Sequence, residues 1–141
     1  EKTAEVIELI DGYRWYRTGD KGHLDEDGFL TIVDRYSRFA KIGGEMISLT
    51  TVEEEILDAC NEKDLEIAAT CLPDQRKGEK IVLLANKNLD KNQLKRLLSD
   101  AKVNPLYHPA QVLIVEEIPK LGSGKTDFGA TKKIALVNEQ K

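Results

Sequence analysis

Short apolar runs broken by glycine fill the first third of the chain, and this pattern predicts three successive β-hairpins. Val6, Ile7, Leu9 and Ile10 lead into an Asp11-Gly12 turn and return through Tyr13, Trp15 and Tyr16, whose rings are expected to pack. His23-Leu24 and Phe29 through Val33 flank Asp25-Glu26-Asp27-Gly28, and residues 39–42 and 46–49 surround Gly43-Gly44-Glu45. The period then changes. Thr50 and Glu53 have capping-box spacing, Val52, Ile56, Ala59 and Cys60 recur at helical intervals, and Glu53, Glu54 and Glu55 suit the positive end of a helix dipole. Residues 65–72 and 81–85 are continuous apolar runs of the kind found in core strands, joined by an expected long loop over 73–79. Asp90 and Gln93 predict a second capped helix with Leu94, Leu97, Leu98 and Ala101 on its apolar face and its lysines in solvent. A loop bracketed by Pro105 and Pro109, a strand over 112–115 and a last helix capped by Asp127, with Ile134, Ala135 and Val137 inward, complete the pattern.

The expected fold class is therefore α+β: a small mixed sheet with flanking helices, preceded by β-hairpins. The charged break Asp34-Arg35-Tyr36-Ser37-Arg38 is the expected boundary, giving segments 1–36 and 37–141. With 141 residues there is room for one domain, or a domain and a fragment of another. Because the first residue is Glu1 rather than Met, a piece of a longer chain is expected.

Composition narrows the chemistry. A net charge of −4 with interspersed signs leaves no basic footprint for nucleic acid. The apolar runs are too short to span a bilayer, and a cytoplasmic fragment without a signal peptide is expected. Cys60 and Cys71 lack a CxxC spacing and sit in apolar patterns, as buried reduced thiols do. His23 and His108 have no partner at ligand spacing, so no metal site is expected.

The stretch PKLGSGKTDF carries the most suggestive chemistry. Gly122 and Gly124 would let the backbone bend sharply and bring Lys125, a long point cation, to a phosphate or a developing oxyanion. GSGKT resembles the end of a P-loop, but Pro119 stands where that motif needs glycine. A solvated lysine in a surface turn is the plain alternative. Asp20 likewise reads as a turn aspartate or a hydroxyl acceptor, Arg35 as a surface ion pair or a phosphate fork, and Gly43-Gly44 as a tight turn or a site of close ligand approach.

Taken in order, Tyr16-Arg17-Thr18-Gly19-Asp20, Asp34-Arg35, Lys41-Ile42-Gly43-Gly44-Glu45, Pro73-Asp74 with Gly78-Glu79, and Gly122-Ser123-Gly124-Lys125 resemble the C-terminal motifs of the acyl-adenylate-forming family. The stretches RYSRFAKIGGEMISL and LGSGKTDF are most similar to the acyl-carrier-protein synthetase part of bacterial bifunctional 2-acylglycerophosphoethanolamine acyltransferases. Ser37 departs from the family, standing where many members carry a hinge Asp or Lys.

The resemblance implies two half-reactions. A fatty acid carboxylate attacks the α-phosphate of Mg2+-ATP to give acyl-AMP and pyrophosphate, and the thiol of acyl carrier protein or CoA then takes the acyl group with release of AMP; in this subfamily the acyl group passes on to a lysophospholipid. It implies that Lys125 is the adenylation lysine on the Gly122-Ser123-Gly124 loop, that Asp20 and Arg35 hold the nucleotide, and that Ser37 is the hinge. Gly43, Gly44 and Glu45 would line the pantetheine channel, residues 1–36 would end a large AMP-binding domain, and 37–141 would be its mobile lid. The large domain would hold most of the ATP and Mg2+ site, so the fragment alone is expected to be inactive and the whole protein to sit at the bacterial inner membrane. An acyl-CoA synthetase is the alternative within the family, and a non-catalytic anion- or partner-binding module the alternative outside it.

Overall fold

The computed structural model describes residues 5–140, and the chain divides into two compact units, Glu1–Ser37 and Arg38–Lys141.

The first unit is two antiparallel hairpins. β1 (Ile7–Ile10) pairs with β2 (Tyr13–Tyr16) around Asp11-Gly12, and β3 (Asp20–Leu24) pairs with β4 (Leu30–Arg35). Gly22 is required in β3, since a Cβ there would lie 2.6 Å from the Thr31 carbonyl oxygen. The rings expected to pack do not: Tyr13, Trp15, Tyr16 and Phe29 are all exposed. A two-stranded ribbon offers no second layer to bury them.

In the second unit, β5 (Phe39–Ile42) and β6 (Glu45–Ser48) form the third hairpin. Ile42 pairs with Glu45, so the turn is Gly43-Gly44 alone, with φ of 58° and 87° as a two-residue primed turn demands. Glu45 belongs to the strand. β7 (Ile67–Asp74) and β8 (Gly78–Ala85) are the long central ladder, antiparallel from Ile67↔Ala85 to Asp74↔Gly78. Their connection is three residues rather than the seven expected, because Asp74 Oδ2 accepts the N–H groups of Arg76 and Lys77 and closes the turn early. β9 (Gln111–Ile114) runs parallel to β8, which makes the five-stranded sheet mixed.

Both faces of that sheet are covered, which explains its uninterrupted apolar strands. Ile67, Ala69, Cys71, Ile81 and Leu83 face a core shared with α1 (Leu49–Cys60) and α2 (Lys91–Asp100) through Val52, Ile56, Leu94 and Leu98. Ala68, Leu72, Val82 and Leu84 face Ile118, from the loop after β9, and Ala135, from α3 (Phe128–Glu139). Val137, expected to point inward, is exposed, and Thr131 is buried in its stead, its hydroxyl donating to the Asp127 carbonyl. Asp90 and Asp127 cap α2 and α3 as expected. α1 starts earlier than the capping-box spacing predicts: Ser48 is the N-cap and accepts from the Thr51 N–H, and Glu53 is diverted elsewhere.

Candidate active-site elements

The Lys125 loop is a closed backbone device. Leu121 N–H donates to the Lys125 carbonyl at 2.7 Å, Gly124 N–H to the Leu121 carbonyl at 2.9 Å, and Asp127 N–H to the Pro119 carbonyl at 2.8 Å. Only Gly124 uses the left-handed region, at φ 86°; Gly122 does not. Asp127 then caps α3 through Ala130 N–H, so the loop is continuous with a helix seated on the sheet. The Lys125 side chain is exposed, and among the described residues no carboxylate pairs with it.

In the first unit the register brings Asp20 and Arg35 together. They face each other across β3 and β4, with Arg35 Nε 2.7 Å from Asp20 Oδ1 and Arg35 Nη1 donating to the Thr18 carbonyl at 3.1 Å. Arg35 is 65% exposed, so this surface pair adds little to stability. It fixes direction: the contact orients the Asp20 carboxylate, and a guanidinium has further N–H groups with which to meet an anion. Ser37 closes this unit, inside the short 3-10 turn Tyr36–Arg38.

Within the second unit, the Lys125 loop and the Gly43-Gly44 turn lie at opposite ends of the β7–β8 ladder. Gly43 N–H donates to the Lys77 carbonyl at 2.9 Å and Ile42 pairs with Gly78, at the Asp74 end. The Lys125 loop follows β9 out of the Ala85 end, where Lys120 Nζ meets Glu66 Oε1 at 2.9 Å. α3 agrees, with Phe128 near Ala69 through Arg38 and its far end held by the Lys80–Glu139 ion pair. Seven strand rises separate the ends, about 24 Å.

Two features were not foreseen from the sequence. A cleft of about 320 Å3 near the Gly43-Gly44 end is lined by Lys77, Lys91, Lys95 and His108 with no carboxylate. The other is Arg38, read as part of a charged break yet only 6% exposed. A lone arginine before an aromatic residue carries no sequence signal for burial. Among the described residues, no three or more His, Cys, Asp or Glu side chains form a group that could hold a metal ion.

Cys71 is buried and Cys60 only partly so, and both are free thiols. Burial pushes each thiol up, assisted by Glu62 at Cys60 and Glu79 at Cys71. The folded chain thus keeps protons that the unfolded chain loses, and these thiols make folding less favourable as pH rises through and above about 8.5. Iodoacetamide at pH 8 should label Cys60 before Cys71, and both more slowly than in denaturant, by peptide mapping.

The small α+β fold with its mixed sheet recurs in solved structures. ATP-bound MatB from Rhodopseudomonas palustris superposes with a TM-score of 0.73 at 23% identity, over 95% of this chain and 26% of that one. Its sequence relatives include CoA ligases. The chain is 36% identical over 134 residues to 2-succinylbenzoate–CoA ligase of Listeria monocytogenes, covering 94% of this chain and 28% of the relative. It is 35% identical over 121 residues to medium-chain-fatty-acid–CoA ligase of Ectopseudomonas oleovorans, covering 83% of this chain and 21% of the relative. It spans under a third of the length of these relatives. No family model matches. No helix among the described residues is long and apolar enough to cross a membrane.

Proposed function

We propose that this chain is the C-terminal part of an acid–thiol ligase that forms an acyl-adenylate from ATP and then an acyl thioester. In this reading residues 1–36 end the large nucleotide-binding domain, 37–141 form the lid, and Ser37 is the hinge. The observation that carries it is the placement of the Lys125 loop and the Gly43-Gly44 turn about 24 Å apart on one rigid ladder. One placement of the lid cannot offer both to the same acyl group, whereas two successive placements can. The exposed Tyr13, Trp15, Tyr16 and Phe29 support the rest of the reading, since such hairpins need a further apolar layer.

Each residue has a role that its geometry permits. The ATP substrate supplies the α-phosphorus that the carboxylate attacks. Asp20 accepts hydrogen bonds from the ribose hydroxyls, and Arg35 orients Asp20 while offering its remaining N–H groups to phosphate. Lys125 places its ammonium where negative charge concentrates during attack. Gly43 and Gly44, which have no side chains to obstruct, let the pantetheine arm pass along the backbone, with Glu45 beginning the strand behind them.

The two relatives described above are named as CoA ligases, and the cleft of Lys77, Lys91, Lys95 and His108 beside the Gly43-Gly44 end suits the phosphates that CoA carries far from its thiol. CoA is therefore the first acceptor to test, with a carboxylic acid as acyl donor. Acyl carrier protein, followed by lysophospholipid reacylation, is the second reading, carried by RYSRFAKIGGEMISL and LGSGKTDF. A thioester assay on the full-length enzyme with each acceptor in turn separates them. Thioester on CoA alone supports the first, and thioester on carrier protein alone replaces it with the second. Product on neither, with no ATP–pyrophosphate exchange for any acid, sinks the ligase assignment.

A further inference from the structure

We infer that Arg38 is a positioning residue for the Lys125 loop, acting through Phe128. Arg38 is the first residue of the second unit, directly after Ser37, and its guanidinium is engaged on three sides. Nη2 meets Glu53 Oε1 at 2.5 Å, Nη1 donates to the Ala69 carbonyl at 2.8 Å, and the ring centroid of Phe128 lies 3.6 Å from its central carbon. Glu53 Oε1 also accepts the Ala69 N–H at 2.9 Å. Together Arg38 and Glu53 satisfy both backbone groups of Ala69, closing the sheet at edge strand β7 as a neighbouring strand would.

That closure uses the edge of the guanidinium and leaves its face over. The face is taken up by Phe128, which is 40% exposed, so burial alone does not hold the ring in place. The cation beneath it contributes attraction and fixes a direction. Phe128 opens α3 immediately after Asp127, whose N–H closes the Lys125 loop onto Pro119. A displacement of Phe128 is therefore a displacement of the loop's base. Arg38 ties the residue after the boundary to α1, to β7 and to the loop, so this part of the unit moves as one body.

This inference rests on the proposed ligase reading, and the test keeps the two apart. In the full-length enzyme, pyrophosphate exchange and thioester formation from supplied acyl-AMP are measured separately for wild type, Lys125→Ala, Phe128→Ala, Phe128→Tyr and Arg38→Lys. Phe128→Ala should lower the exchange kcat by about ten- to a hundredfold, the size of effect a reacting group misplaced by about 1 Å produces. Thioester formation should hold steady, and Phe128→Tyr, which keeps the ring face, should restore exchange. Arg38→Lys keeps the charge without the planar fork and should show the same split. If Phe128→Ala does not fold, Phe128→Leu, apolar but without a π face, carries the same expectation. An equal fall in both half-reactions, or an unchanged exchange rate, overturns the inference while the ligase reading stands, provided that wild type performs both half-reactions and Lys125→Ala loses exchange alone. A wild-type enzyme without either half-reaction overturns the ligase reading and this inference with it.

Discussion

Lys125→Ala in the full-length enzyme should lower ATP–pyrophosphate exchange by about a hundredfold or more, the usual cost of losing one preorganised charge contact in a transition state. Thioester formation from supplied acyl-AMP should stay within about threefold of wild type, because under the two-placement reading Lys125 then lies at the far end of the ladder, about 24 Å from the turn in use. The side chain has no internal carboxylate partner among the described residues, so its loss breaks no ion pair and leaves no buried group unpaired. Stability should therefore hold, and a thermal melt should coincide with wild type. Lys125→Arg is informative beside it: the charge remains, but a planar fork replaces a compact ammonium on a loop whose backbone is closed by three hydrogen bonds. It should recover little exchange activity. Undiminished exchange in Lys125→Ala would remove this lysine from the reaction, and a parallel fall in both half-reactions would argue for a general loss of structure.

Local chemistry made much of the fold legible. Asp11-Gly12 and Gly43-Gly44 announce hairpins because left-handed backbone is demanded there, and Asp90 and Asp127 announce helix starts because their carboxylates accept the free N–H groups of a first turn. Two of the failures turn on a polar group whose partner the spacing does not reveal, tertiary in one case and local in the other. Thr50 and Glu53 have the spacing of a capping box, yet Ser48 caps α1 because Glu53 has a better partner in Arg38. The loop over 73–79 shrinks because Asp74 turns the chain at once. The candidate site is less legible still. Asp20 and Arg35 are paired by strand register, which a sequence encodes only indirectly, and the separation of Lys125 from Gly43-Gly44 follows from β7 and β8 lying between them. Nothing in the spacing of Lys77, Lys91, Lys95 and His108 announces that a turn, a helix and a proline-flanked loop bring them around one cleft.

The acidic triplet of α1 offers the sharpest stability contrast. Glu53→Ala should destabilise the protein by about 3 to 5 kcal/mol, the range found when one partner of a buried ion pair is removed. Glu54→Ala and Glu55→Ala should stay within about 0.5 kcal/mol of wild type, as surface changes do. Three adjacent glutamates look alike in sequence, but Glu54 and Glu55 are exposed while the Glu53 side chain is 18% exposed against an Arg38 side chain at 7%. Removing Glu53 strands the Arg38 charge and also deprives Ala69 N–H of its acceptor, so two buried groups lose a partner with one substitution. Glu53→Gln separates these contributions: the amide oxygen can still accept from Ala69 while the ion pair is gone, so its loss should be intermediate. Urea denaturation of the three alanine variants and Glu53→Gln measures the series. Equal midpoints for Glu53→Ala and Glu54→Ala would mean that Arg38 reaches water or another acceptor when Glu53 is absent, and that the edge of β7 does not depend on this pair.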